Sequence, residues 1–205
     1  FTDQDNAIVF EAREEEAARA RLLAFGAAVN ATLDACGFPL CPGNIMAGNP
    51  ECCLSLRGWR ERFSGWVRNP APEALLNASI FFDFRPIAGE VALADGLRAW
   101  LRDLVKGDER FLKTLALNAL ESEVPLGYFG NVVTGGEGAD AGTINLKNQG
   151  TRVITDAARI YALASGVDAT STAARLRAAS EALGMVGAEV EAIVEAFHQL
   201  LLFRL

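Results

Sequence analysis

Asp3 and Asp5 are the residues whose type and spacing most directly suggest chemistry. They stand two apart, immediately before the short apolar run Ala7 to Phe10. If that run is a strand, residues i and i+2 share a face, so the two carboxylates converge at its start. Converging carboxylates repel unless a proton or a cation lies between them. Hard oxygen ligands of this kind suit Mg²⁺, which takes one or two carboxylates and completes its shell with water and substrate phosphates. The competing reading is a polar turn, Asp-Gln-Asp-Asn, ahead of an edge strand. Asp83 is a second anomaly, a carboxylate inside Ile80-Phe-Phe-Asp-Phe84, where burial is costly without a partner. A cation held by Asp3 and Asp5 would be such a partner. Arg85 would supply the charge if Asp83 faces solvent.

Other chemistries find little support. His198 is the only histidine and lies in a strongly apolar helical stretch, where a packing role is expected. With one histidine, neither a Ser-His-Asp triad nor a multi-histidine zinc site can be assembled from this chain. Cys36, Cys41, Cys52 and Cys53 lack paired C-x-x-C spacing and read as free structural thiols. The formal net charge of −7 argues against a broad nucleic-acid surface. No apolar stretch approaches the roughly 20 residues of a membrane span, and the acidic opening does not resemble a signal peptide. A cytoplasmic location is the expectation.

The elements that must position these residues fall into two groups. After the opening strand, Glu11 to Ala35 reads as a long helix stopped by Cys36-Gly37. A breaker-rich loop, Gly37 to Pro50, reads either as a functional lid or as a tight connection carrying a short strand around Ile45-Met46. Ser55 to Val67 reads as an amphipathic helix with Trp59, Phe63 and Trp66 on one stripe. A helix begins at Glu73, and Ala78 to Arg85 reads as a buried strand ending at Pro86. Helices are expected near 91–105, 108–121, 152–165, 170–183 and 187–204. Gly135 to Gly142 reads as a flexible connector. The fold class expected is α+β, mostly α, divided as 1–89 and 90–205.

Four segments carry a family resemblance: Thr2-Asp-Gln-Asp-Asn-Ala-Ile-Val, Cys36-Gly-Phe-Pro-Leu-Cys-Pro-Gly-Asn-Ile-Met-Ala, Ala78-Ser-Ile-Phe-Phe-Asp-Phe-Arg and Leu146-Lys-Asn-Gln-Gly-Thr-Arg. In this order they resemble signal-transduction nucleotidyltransferases related to the protein-PII uridylyltransferases, within the DNA-polymerase-β-like superfamily. The resemblance implies a partial nucleotidyltransferase mixed sheet over 1–89 and a C-terminal helical bundle over 90–205 that binds substrate. It implies that Asp3 and Asp5 bind Mg²⁺ or Mn²⁺, and that Asp83 is a third carboxylate, binding metal and accepting the acceptor's proton. The superfamily's Gly-Ser phosphate turn lies upstream of the Asp-x-Asp pair, so an N-terminally truncated core is expected.

Lys147 and Arg152, at the entry to a bundle helix, are candidates for nucleotide phosphate. The alternative is that Thr151 caps the helix, Lys147 is solvated and Arg152 pairs with Asp156. Asn44 is a candidate for the base pocket. The implied activity is transfer of a nucleoside monophosphate from an NTP to a protein or small-molecule hydroxyl, in signalling, with a regulatory protein as a possible acceptor. A non-catalytic regulatory module binding nucleotide or a partner is the alternative. The apolar Ile193 to Leu205 segment hints at a homodimer.

Overall fold

The computed structural model describes residues 3–122, 124–128, 131–135 and 141–204. The chain divides into two compact units, Phe1–Gly65 with Pro86–Leu97, and Trp66–Arg85 with Arg98–Leu205. Among the described residues there are eight α-helices and one two-stranded sheet, an α+β fold that is mostly helical.

In the first unit, β1 (Ile8–Phe10) pairs in parallel with β2 (Cys53–Ser55), in the register Ile8 to Cys53, Val9 to Leu54 and Phe10 to Ser55. Parallel neighbours need a crossover, and α1 (Glu15–Ala35) supplies it. Gly37, with φ of 94°, turns the chain out of that helix at the stop expected from sequence. The strand expected at Ile45-Met46 is absent, although Ile45 O accepts from Asn6 N at 3.0 Å. The second strand lies at Cys53–Ser55 instead, ahead of α2 (Leu56–Arg68).

Helix α1 approaches residues 47 and 48 unusually closely. A Cβ on Gly26 would stand 2.5 Å from Ala47 O, and one on Gly48 would stand 3.0 Å from Ala27 Cα. The unit's core includes Phe10, Ala47, Cys52, Cys53, Trp59 and Phe63, all buried. Trp59 also donates from its indole N–H to Ile8 O at 2.9 Å, locking α2 to β1.

The second unit contains α3 (Pro72–Phe81), α5 (Glu109–Leu120), α6 (Arg152–Ser165), α7 (Thr172–Leu183) and α8 (Gly187–Leu202). Helix α4 (Val91–Lys106) begins in the segment assigned to the first unit. Ala78 to Arg85 is not a strand. Helix α3 runs to Phe81, because Ala74, Leu75, Ala78 and Phe81 recur at helical spacing and are buried. The aromatic run then packs locally: Trp66 lies 5.5 Å from Phe81 and 6.4 Å from Phe82, which lies 6.0 Å from Phe111. Ala158, Leu176, Val190 and Val194 form the core of the α6–α8 layer.

A π-helical turn, Lys147–Thr151, leads into α6. Gly142 has φ of 80° and its N–H bonds Gly135 O at 3.1 Å; residues 136–140 of the expected connector lie outside the described residues. His198 is exposed on α8, so the expected packing role is corrected: its place falls off the buried stripe of Val190, Val194 and Phe197. No helix among the described residues is long and apolar enough to cross a membrane.

Candidate functional site

The N-terminal segment alternates like a strand. Gln4 is buried and pairs in a parallel bridge with Leu40. Its side-chain amide donates to Asn30 O and Phe38 O, both at 3.0 Å, and its Oε1 accepts from Asn30 Nδ2 at 2.8 Å. Asn6 Oδ1 accepts from Asn30 Nδ2 at 2.9 Å and from Ala47 N at 2.8 Å. Asn30, itself buried, closes the network by accepting from Gly48 N at 3.0 Å. With Gln4 and Asn6 turned inward, the period of two turns Asp3 and Asp5 the other way.

There the two carboxylates meet the thiol of Cys41, with the ligand atoms of all three residues within 4.8 Å of one another. Burial pushes the Cys41 thiol above its ordinary pKa, and its hydrogen bond to Asp5 raises it further. A neutral thiol therefore lies beside the two carboxylates. The donor set fits a hard divalent cation through its two carboxylates, with the thiol as a neighbour. Asn44 sits on the same loop, its N–H bonded to Cys41 O at 2.9 Å, and adopts a left-handed φ of 55°. Its exposed side chain leaves the amide to solvent.

Asp83 stands in the turn after α3, in the second unit, and is engaged by two arginines. Oδ1 accepts from Arg175 Nη2 at 2.7 Å and from Arg159 Nε at 3.3 Å. Oδ2 accepts from Arg159 Nη2 at 2.7 Å and from Arg159 Nε at 3.1 Å. Arg159 continues to Asp156 Oδ1 at 2.6 Å, and Arg175 Nε donates to Ala169 O at 2.8 Å. The arginine side chains are only 8% and 7% exposed. Burial alone would raise the Asp83 carboxyl, but the hydrogen bonds and charge of Arg159 and Arg175 outweigh it and hold it below the ordinary value. A carboxylate has about four lone-pair sites, and guanidinium donors take up those of Asp83. The expected strand placement is thus replaced by a helix-end turn, and where the sequence offered a cation at Asp3 and Asp5, or else Arg85, as the partner of Asp83, its protein partners are Arg159 and Arg175.

Lys147 is exposed at the start of the π-helical turn. Thr151 does not cap α6. It is buried, and its hydroxyl donates to Lys147 O at 3.2 Å and accepts from Arg204 Nη1 at 2.8 Å. Arg152 makes the i,i+4 pair with Asp156, Nε to Oδ2 at 3.4 Å. Sequence reasoning missed Gln4, Asn6 and Asn30, and missed Arg159 and Arg175. The two arginines had a signal: each falls on the buried stripe of its helix, beside Ala158 and Leu176 respectively.

Comparison with known proteins bears on both units. Residues 1–73 match the family described as "Putative nucleotidyltransferase DUF294". Residues 109–205 match that described as "Putative nucleotidyltransferase substrate binding domain". Both ends of the chain thus resemble domains described for one kind of protein, a nucleotidyltransferase. No curated protein and no solved structure gives a significant match.

Proposed function

We propose that the chain carries the metal-binding carboxylates and the substrate-binding helices of a nucleotidyltransferase. Its reaction moves a nucleoside monophosphate from an NTP to a hydroxyl of a protein or small molecule, in the manner of a signalling uridylyltransferase. The observation that carries this reading is the convergence of Asp3 and Asp5, turned outward by the buried Gln4–Asn6–Asn30 network, in a chain that resembles nucleotidyltransferase domains at both ends.

Asp3 and Asp5 would hold Mg²⁺ or Mn²⁺. Bound there, the cation supplies neutralisation of phosphate charge and polarises the phosphoryl oxygen. Gln4, Asn6 and Asn30 keep the carboxylate pair oriented, so no rearrangement is needed as charge develops. The Cys41 thiol lies beside the pair without adding a charge. Asn44, on the adjoining loop, offers an amide to a base, and Lys147 and Arg152 offer cations to phosphate. Asp83 we assign to holding Arg159 and Arg175, because its acceptor sites are already filled by fixed positive charge.

The test is NTP-dependent labelling of acceptor with pyrophosphate release in Mg²⁺, comparing wild type with Asp5→Asn. The variant should lose about 100-fold or more, at least as much as loss of an outer-shell partner costs a metal site. Unchanged labelling would remove Asp5 from the centre. NTP binding without pyrophosphate release in the wild type would favour the regulatory module.

A further inference from the structure

A cavity of about 150 Å³ opens within the helical unit, between α3, α5 and α6. Its lining combines apolar Leu76, Leu115 and Ile160 with charged Arg152, Asp156 and Arg159. The volume is modest, room for a few water molecules. It falls below the roughly 300–1,000 Å³ of pockets that enclose a whole ligand, so it suits one functional group of a larger molecule.

The charges in and behind the cavity do not cancel. Asp83 and Asp156 face Arg152, Arg159 and Arg175, which leaves one positive charge in excess. Arg159 and Arg175 are themselves buried and committed to half-buried carboxylates. The surplus therefore resides on Arg152, at the cavity's edge, with its side chain 46% exposed. Its guanidinium has five N–H donors, yet among the described residues its one polar partner is Asp156, through a long contact of 3.4 Å. Asn118, also lining the cavity and half-buried, has no side-chain hydrogen bond to any described residue.

We propose that this cavity seats one phosphoryl group of the transferase's substrates, gripped by the free edge of Arg152 and by the Asn118 amide. The choice of phosphate over another anion rests on the nucleotidyltransferase reading. Planar guanidinium matches phosphate oxygens in a two-pronged fashion. The Asp83–Arg159–Asp156 chain aims Arg152: Arg159, fixed by Asp83, fixes Asp156, and Asp156 holds only Nε of Arg152. Asp83, Arg159 and Asp156 are positioning residues; Arg152 and Asn118 make the contact.

The test is calorimetric titration of the whole chain with inorganic phosphate, in EDTA at low salt, so the carboxylate centre plays no part. Wild type should bind saturably, and Arg152→Ala should weaken binding by about 10-fold or more, the scale of a lost charge-assisted hydrogen-bond pair. Asp156→Asn removes a competing negative charge from the cavity at the cost only of the long Arg152 Nε contact, and should tighten phosphate several-fold. A scaffold role alone would not produce that tightening. Absence of saturable binding, or Arg152→Ala binding as wild type with its melting temperature retained, overturns the proposal.

Competition then identifies the source of the phosphate. Displacement by ATP or UTP that depends on Arg152 assigns the phosphate to the nucleotide. Displacement by glycerol phosphate alone assigns it to the acceptor. Phosphate binding without nucleotidyl transfer would defeat the transferase reading alone. Transfer without phosphate binding would defeat this proposal alone.

Discussion

Gln4 and Asn6 shape the carboxylate pair as much as the aspartates do, because an alternating segment shows only one face and buried amides decide which. Asp83 illustrates the complementary case of a carboxylate chosen for burial. Its charge is compensated by two guanidinium groups, so removing it leaves the buried Arg175 without a carboxylate and Arg159 with Asp156 alone. Asp83→Ala should cost about 3–5 kcal/mol, the usual cost of breaking a buried pair from one side, as read by urea denaturation. The same pairing fixes a pH dependence. The folded-state pKa of Asp83 is lowered, so its stabilisation is fully present above the ordinary carboxylate value of about 4. It is lost as pH falls through the lowered folded-state value. Wild-type stability should therefore drop below about pH 4 more steeply than that of Asp83→Asn. Parallel acid profiles for the two proteins would refute the assignment.

Helix α1 acts as the crossover of the parallel pair and as the wall against which the N-terminal segment is pinned. Asn30 reaches from it to Gln4, Asn6 and Gly48, and this requires the helix to lie very near the 47–48 backbone. Gly26 permits that approach. Gly26→Ala would drive a methyl into Ala47 O, a rigid backbone atom. Despite the better helix propensity of alanine, the variant should lose about 1–3 kcal/mol. Thermal melting checks this, and a gain in stability would show that the helix can move away without penalty. Helix α3 teaches a different point about reading elements. Ile80-Phe-Phe looks like a strand by composition. The period of three and four from Ala74 to Phe81, together with Pro72 in the first turn, is the signal that decides for helix.

At the scale of the molecule, the helices from residue 91 onward are legible because glycines mark their ends. Gly166 and Gly184 take the left-handed conformation that closes α6 and α7. The Asp-x-Asp pair is legible for the same reason a strand is, since spacing of two is enough to place both groups on one face. The parallel partner at Cys53–Ser55 is not legible, because a three-residue strand has too little length to show a period before α2 begins. Nor is the Asp83 network, whose members lie 76 and 92 positions apart in the chain. Only the folded helices bring them together, and a buried arginine on an alanine-rich face is the one local clue. Both family matches fall on a chain whose two units each present polar groups: the outward carboxylates in one, the surplus guanidinium in the other.

The central claim is that Asp3 and Asp5 form a divalent-cation seat. It is tested most directly by Mn²⁺ titration, followed by electron paramagnetic resonance, of wild type, Asp3→Asn and Asp5→Asn. Both aspartates lie away from the core, so the variants should keep the wild-type melting temperature. Wild type should bind Mn²⁺ saturably, and both variants should lose that binding. Undiminished binding in the variants, or none in the wild type, would contradict it.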